Sequence, residues 1–413
     1  MDTAEQPTIL RSTTGADFLA TVPALAGRTM TDSIAVIPFA GTRTFGLMRI
    51  DLPPADVGDD VHDRVASLAL GAMSRIDWCD GVMFVVYADG TFPAAFTGHE
   101  HLVARLDERF EEAGFVVKDA FCVAADGWAS WYEAEPPFDG HDLDEIARSD
   151  LGAAAARASA QTEPVPHDQE GALPPTDPKT LAALTAAVDD LLTDATERNA
   201  FGLRVPAPLP EPVDFVEVLL RREADDTPLR VLAQLAALSV HHAHRDVMTL
   251  QIAFGRKTGR RALAENERWL ALQRERGQTM DEVVRAEFES AGGPTASEMG
   301  QLFIGECDTR PRPARVRRAI GILGRAIAHL PPDLRPDLLC MLAWLHWSLG
   351  SSTAAGTHIT AALAIEPAHR MAAILQVLVM NGKIPQWVFA HYNDAGAMLH
   401  ARVDPRVPAS SSV

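Results

Sequence analysis

The stretch LCMLAWLHWSLGSSTAAGTHITAALAIEP, residues 339–367, decides how this chain is read. An apolar run carrying Trp344 and Trp347 on one helical face ends at Gly350, a residue suited to closing a helix. Ala355 and Ala362 then fall two turns apart on one face of a second helix, and Pro367 stops it. The spacing predicts a hairpin of two helices, Asp337 to Leu349 and Ala354 to Ile365, in contact through small side chains. Upstream, Ala319, Ala326 and Pro331 repeat the intervals of Ala355, Ala362 and Pro367, which predicts a second copy within Ala314 to Leu330.

Working outward from the hairpins, helical spacing predicts further helices at Arg370 to Asn381, Ser297 to Glu306, Met280 to Ser290 and Arg261 to Glu275. Another opens at Thr227-Pro228 and runs through Ala243. Pro178 stands at a first helical position, with Leu181, Leu184, Val188 and Leu191 following at helical intervals. Prolines 206, 208, 210 and 212 read as a stiff extended segment. QTEPVPHDQEGALPPTDP (161–178) is polar and proline-rich and reads as a linker.

Before the linker the pattern changes. SIAVIPF (33–39) and FGLMRIDL (45–52) flank a turn at Gly41 and predict a β-hairpin, after a short helix from Asp17 to Leu25. Val61 to Ile76 has helical spacing. VMFVVY (82–87) is continuously apolar, as expected of a strand covered on both faces. A helix from His101 to Glu112 and a strand pair, Phe115 to Ala124 and Trp128 to Tyr132, complete a ββαβαββ order. The fold expected is an α/β or α+β N-terminal domain with a mixed sheet (1–150), a linker (151–178), an all-α domain (179–400) and a disordered tail (401–413).

With 413 residues, 47% of them hydrophobic, the chain can bury two cores. MDTAEQPTIL has no basic start, and no apolar run reaches the ~20 residues of a membrane span, so a cytoplasmic protein is expected. Cys79, Cys122, Cys307 and Cys340 are scattered without framework spacing and read as reduced thiols. The net charge of −19 is uneven: residues 1–150 hold 10 basic and 26 acidic side chains, whereas 256–413 hold 19 and 15. An acidic first half repels phosphate backbones and disfavours nucleic acid as a partner.

Several groups of side chains could carry chemistry. His241, His242, His244 and Asp246 offer two i, i+3 or i, i+4 pairs but not the three or four ligands of a metal site, and His99-Glu100-His101 would converge only in a strand; no metal is expected. GRKTG (255–259) lacks the upstream glycine of a phosphate loop and follows a helical segment, and no GxGxxG occurs, so no cofactor is expected. Arg256, Lys257, Arg260 and Arg261 precede a helix whose N-terminus attracts anions. Arg310, Arg312, Arg315, Arg317 and Arg318 offer a docking surface for an acidic protein partner or for the first domain. No nucleophile elbow and no cysteine–histidine pairing is evident. Ligands of open α/β sheets bind beyond the strand carboxyl ends, which singles out Asp51, Tyr87 and Asp89. Trp344 and Trp347 read as core.

The helix hairpin, with its Gly350, Ala355, Ala362 and Pro367 punctuation, resembles tetratricopeptide-type repeats. TDSIAVIPF, RIDLP, VMFVVYAD, DAFCVAADGWASW, PARVRRAIGILGRAI and LLCMLAWLHWSLG, in that order, resemble an actinobacterial family catalogued as a domain of unknown function. The resemblance implies a cytoplasmic bacterial protein of this two-part layout and brings no activity or catalytic residue. Relatives often carry cysteines and a glycine–proline turn after the tryptophan segment, where this chain reads WYEAEPPFDG. The function expected is a non-catalytic interaction or adaptor protein; the alternative is an enzyme or small-ligand sensor using the strand ends of the first domain.

Overall fold

The computed structural model describes residues 12–27, 29–44, 46–158, 171–200, 209–291 and 297–390. The expected tail, residues 159–170 of the expected linker, and Pro206 and Pro208 lie outside them. Two compact units are formed, one N-terminal and one beginning at about residue 170.

The N-terminal unit is a mixed sheet with helices. Helix α1 (Gly15–Ala26) is capped by Thr14, whose hydroxyl accepts from the Asp17 N–H, and is closed by Gly27 at φ 67°. Strands β1 (Ser33–Phe39) and β2 (Met48–Asp51) form the expected hairpin, followed by α2 (Asp59–Met73) and β3 (Gly81–Tyr87). Next come α3 (Phe92–Gly98), α4 (Glu100–Glu112), β4 (Val116–Val123), β5 (Trp128–Ser130), α5 (Leu143–Ala147) and α6 (Asp150–Ala158). The strand order is β2-β1-β3-β4-β5, antiparallel except for β3 and β4, which α3 and α4 connect. Pro38 sits in an interior strand, which its missing N–H would ordinarily forbid. It is tolerated because β2 pairs only with Ser33 to Val36, leaving Pro38 beside β3 alone.

The alternation of β1 divides the core. Ala35, Ile37 and Phe39 join Val85, Tyr87, Phe121 and Trp128 against Phe18, Leu19 and Val22 of α1. Ile34 and Val36 face the other way with Phe84 and Val86, and Phe84 meets Phe110 of α4 edge-on at 5.3 Å. Helices α3, α5 and α6 lie outside the expected order: each is short, and α6 crosses residue 150. It packs on α1, with the Ser149 hydroxyl donating to Asp17 at 2.7 Å just before it.

The second unit is helical: α7 (Pro178–Ala200), α8 (Pro212–Leu219), α9 (Leu229–Ser239), α10 (His242–Phe254), α11 (Arg256–Arg276), α12 (Met280–Ala291), α13 (Glu298–Ile304), α14 (Pro313–Ala328), α15 (Pro336–Ser348), α16 (Ser352–Ile365) and α17 (Arg370–Met380). The hairpin of α15 and α16 is present, and Ala319, Ala326, Ala355 and Ala362 are all fully buried. Trp344 and Trp347 are core, as expected; with Trp387 they form an aromatic cluster, and their N–H groups donate to the carbonyls of Phe303 and Lys383.

Three expectations need correction. The helix opening at Pro228 ends at Ser239, whose hydroxyl bonds back to the Ala236 carbonyl, and a new helix starts after His241. Pro212 does not prolong an extended segment: it is the first residue of α8, and the Glu211 carboxylate caps that helix by accepting from the Asp214 N–H at 2.7 Å. Residues 171–177, expected to be linker, lie on the helical unit. Leu173 packs on its core, and the Thr176 hydroxyl donates to the Ala328 carbonyl at 2.9 Å.

Candidate functional site

The carboxyl ends of β2, β3 and β4 meet the amino end of β1 at one end of the sheet. Ser33 stands directly opposite both Asp51 and Tyr87, so the three side chains share one face. Arg49 donates to Asp51 at 2.7 Å. Asp89 lies two residues past β3 in an exposed turn. The structure thus brings Asp51 and Tyr87 into one row and leaves Asp89 outside it. The Ser33 hydroxyl and the Tyr87 phenol are buried without a hydrogen-bond partner, and burial pushes the phenol's pKa up. Beside them Asp32 holds φ at 39°, the single non-glycine residue with positive φ among the described residues.

Facing the other side of β1 are two further groups. His62, from the first turn of α2, and His99, at the start of α4, are both more than nine-tenths buried. Burial pushes the His99 pKa down, His62 adds to that effect, and Asp32 opposes it. The His99-Glu100-His101 motif therefore sits at a helix junction instead of a strand, with His101 exposed. Neither the strained Asp32 nor the pairing of His62 with His99 has a local sequence signal, because each depends on which strand end meets which helix start.

The basic segments are largely engaged within the helical unit. Arg256, Lys257, Arg260 and Arg261 lie inside the first turns of α11, not before it. Arg256 pairs with Asp214 and Arg261 with Glu298. Both glycines of GRKTG are structural: Gly255 turns the chain at φ 96°, and a Cβ on Gly259 would come within 2.1 Å of the Gln251 amide oxygen. Arg312 reaches the same place, its guanidinium close over Gly255 and its N–H donating to Ala253 at 2.8 Å.

Arg315 forms a two-pronged pair with Glu217 (2.8 and 3.2 Å) and donates to the carbonyls of Gln251 and Ile252 in the last turn of α10, the first of which also accepts the Gly255 N–H. The guanidinium holds the Glu217 carboxyl below its ordinary pKa. Arg318 donates to the Leu220 carbonyl at 3.0 Å and pairs with Glu223. Arg325, outside the expected basic group, donates to the carbonyls of Ala224, Asp225 and Thr227. Arg310 and Arg317 are exposed.

The helical unit also holds a constellation absent from the sequence reading, which found no cysteine–histidine pairing. The Cys340 sulfur lies 3.5 Å from His369 Nδ1, and His369 Nε2 lies 3.3 Å from Asp337 Oδ1. Arg245, buried, donates to the same Asp337 oxygen at 2.7 Å and to Asp246 at 2.8 Å. Geometry alone suggests a cysteine nucleophile with its base and orienting acid. The electrostatics do not: Cys340 is wholly inaccessible, and burial pushes its thiol up to about 12. His369 Nδ1 is also occupied, accepting the Ala372 N–H at 3.2 Å as the cap of α17. The network is a structural pin between α10, α15 and α17. His241 and His244 do meet, rings 5.3 Å apart, but no group of three or more ligands able to hold a metal ion occurs among the described residues.

The outer face of α16 and α17 differs from the rest of this acidic chain. Between Leu338 and Gly382 the only Asp, Glu, Lys or Arg are Glu366 and Arg370. Ile374, Val377 and Met380 expose 55%, 60% and 77% of their surface along one side of α17. On α16, which packs against α17, Thr357, Thr360 and Ala364 are exposed. No described helix is long and apolar enough to cross a membrane.

No curated protein and no solved structure matches the chain. One family model does, over residues 16–288 and 312–386, covering the sheet, its carboxyl end and the helices through α17 except α13 and the last residues of α12. With most of its length inside that match, the chain belongs to DUF4192, a domain of unknown function.

Proposed function

We propose that this protein is a non-catalytic interaction protein of the cytoplasm, whose tetratricopeptide-like hairpins present the outer face of α16 and α17 to another polypeptide chain. The observation that carries this reading is the exposed row Ile374, Val377 and Met380, on a surface almost free of charge. Apolar patches rimmed by polar groups mark interaction sites, and stacked helical arrays ordinarily end in a polar outer face. A photo-activatable cross-linker placed at Val377 and used in the native host should yield a conjugate with a polypeptide, while the same group at Arg260 on α11 should not. Absence of a conjugate at position 377 would sink the proposal.

The second reading, a small-ligand site at the carboxyl end of the sheet, draws on the unpartnered Ser33 hydroxyl and Tyr87 phenol beside the strained Asp32. A buried polar group without a partner costs about 1–3 kcal/mol, so two at one strand end call for an occupant. Native mass spectrometry of protein purified from its host should then show a small-molecule adduct that Tyr87→Phe loses. A bare wild-type mass, with Tyr87→Phe no less stable than wild type, would make the row an imperfection of the core.

A further inference from the structure

We propose that the row at the carboxyl end of the sheet holds an uncharged, largely apolar small molecule with at least two acceptor oxygens, bound by the Tyr87 phenol and the Trp128 indole N–H. The proposal rests on the small-ligand reading of that strand end and names the chemistry of the occupant.

Strand register extends the row beyond Tyr87. Ser33 pairs with Tyr87, Tyr87 with Val123, and Val123 with Trp128, so four strands place these side chains on one face, the face that α1 covers. Tyr87 and Trp128 stand two strands apart, about 10 Å along the row. Three polar atoms in it are buried without a hydrogen-bond partner: the Ser33 hydroxyl, the Tyr87 phenol and the Trp128 indole nitrogen. Their residues are 0%, 8% and 7% exposed. A single orphan is an ordinary flaw of packing; three in one cross-strand row form a set of donors that one acceptor-bearing body can satisfy together. Helix α1 leaves the indole donor uncovered, because Gly15 approaches the ring at Cζ3 and Cη2, the edge away from the N–H.

The groups choose the chemistry. An indole N–H only donates. Burial keeps the phenol protonated, so it donates as well. The occupant must therefore present acceptors, which excludes an ammonium group. An anion is excluded by charge. The row carries no cation, its one ionisable carboxylate is Asp51 at the far end, and Arg49 beside it is bonded to Asp51 at 2.7 Å. A buried anion would have no counter-ion here. The remaining surround, Phe18, Leu19 and Val22 of α1 with Phe121 and Val123 of β4, offers only apolar contact. A ketone, quinone or amide on a flat apolar body meets all three conditions.

The test is to purify the full-length chain from its native host, denature it, and extract the released material into organic solvent from acid and from alkaline solution for mass spectrometry. Wild type should release one compound, extracted equally from both solutions, with at least two oxygens in its formula. Tyr87→Phe removes a single oxygen atom from the row and should lower the occupancy about tenfold or more with an unchanged circular-dichroism spectrum. Trp128→Phe should do the same, and Tyr132→Phe, beyond the end of β5, should keep the compound. A compound extracted from one solution only, and lost with Tyr87→Phe, is an acid or an amine: it overturns the chemistry inferred here and leaves the small-ligand reading standing. A compound retained by Tyr87→Phe, or no compound at all, overturns both.

Discussion

Replacing Arg245 by methionine should lower the unfolding free energy of the helical unit by about 3–5 kcal/mol, the usual cost of breaking a buried ion pair from one side. Arg245 is 5% exposed and holds both Asp246 and Asp337. Burial pushes the Asp337 carboxyl up, but the His369 ring N–H and the Arg245 guanidinium together outweigh it and hold the group below its ordinary value. Methionine fills the volume of the arginine stem but leaves Asp337 with His369 as its remaining strong partner. Chemical denaturation with the single-site variant and with Arg245→Met/Asp337→Leu separates the terms. The double variant should recover part of the loss, because it leaves one carboxylate, Asp246, without its arginine instead of two. A single variant within ~0.5 kcal/mol of wild type would show the network to be dispensable.

The second large effect is on acid stability and centres on His358. This side chain of α16 is 2% exposed, and its Nε2 has no hydrogen-bond partner. Burial pushes its pKa down to about 3, and the His346 ring, centred 5.2 Å away, adds to the shift. A base whose folded-state pKa is depressed stabilises the fold fully above the unfolded pKa of about 6.5 and loses that contribution as the pH falls. The loss should reach roughly 2 kcal/mol at pH 5 and about 4 kcal/mol near pH 3. In His358→Gln this part of the acid-side slope should vanish between pH 6.5 and 4, leaving the carboxylate contribution of Asp337, which begins lower. Parallel slopes in variant and wild type would exclude His358 as the sensitive group.

The parts of this fold legible in the sequence are those written in local pattern. SIAVIPF and VMFVVY are continuous apolar runs, and they are the two strands buried on both faces of the sheet. Gly27 and Gly350 stand just past helix ends at positive φ, which is why the boundaries there were readable. Helices α3 and α8 were not: each is under nine residues long and has proline near its start, so too few turns exist for a period to show. Site residues divide along the same line. Asp51 and Tyr87 could be placed because strand ends could be placed. Cys340, His369, Asp337 and Arg245 could not, since Arg245 and Asp337 are 92 positions apart and nothing local marks either one. The carbonyl partners of Arg315, Arg318 and Arg325 were illegible for a related reason. A basic run looks like an exposed surface when its partners are backbone carbonyls, which every residue carries.

The grip of α14 on the end of α8 and the segment after it has a consequence for how the helical unit is made. Arg315, Arg318 and Arg325 reach Glu217, Leu220 and Thr227, each 98 positions away. In a true solenoid every repeat touches only its neighbours, so growth can start anywhere and stop after any repeat. Here the first helices of the unit stay without their clamp until α14 has been synthesised and docked. The loop they close is long, and its entropy must be met before the contacts form. The unit is therefore a closed body: it cannot be shortened or extended helix by helix, and its ends were selected together.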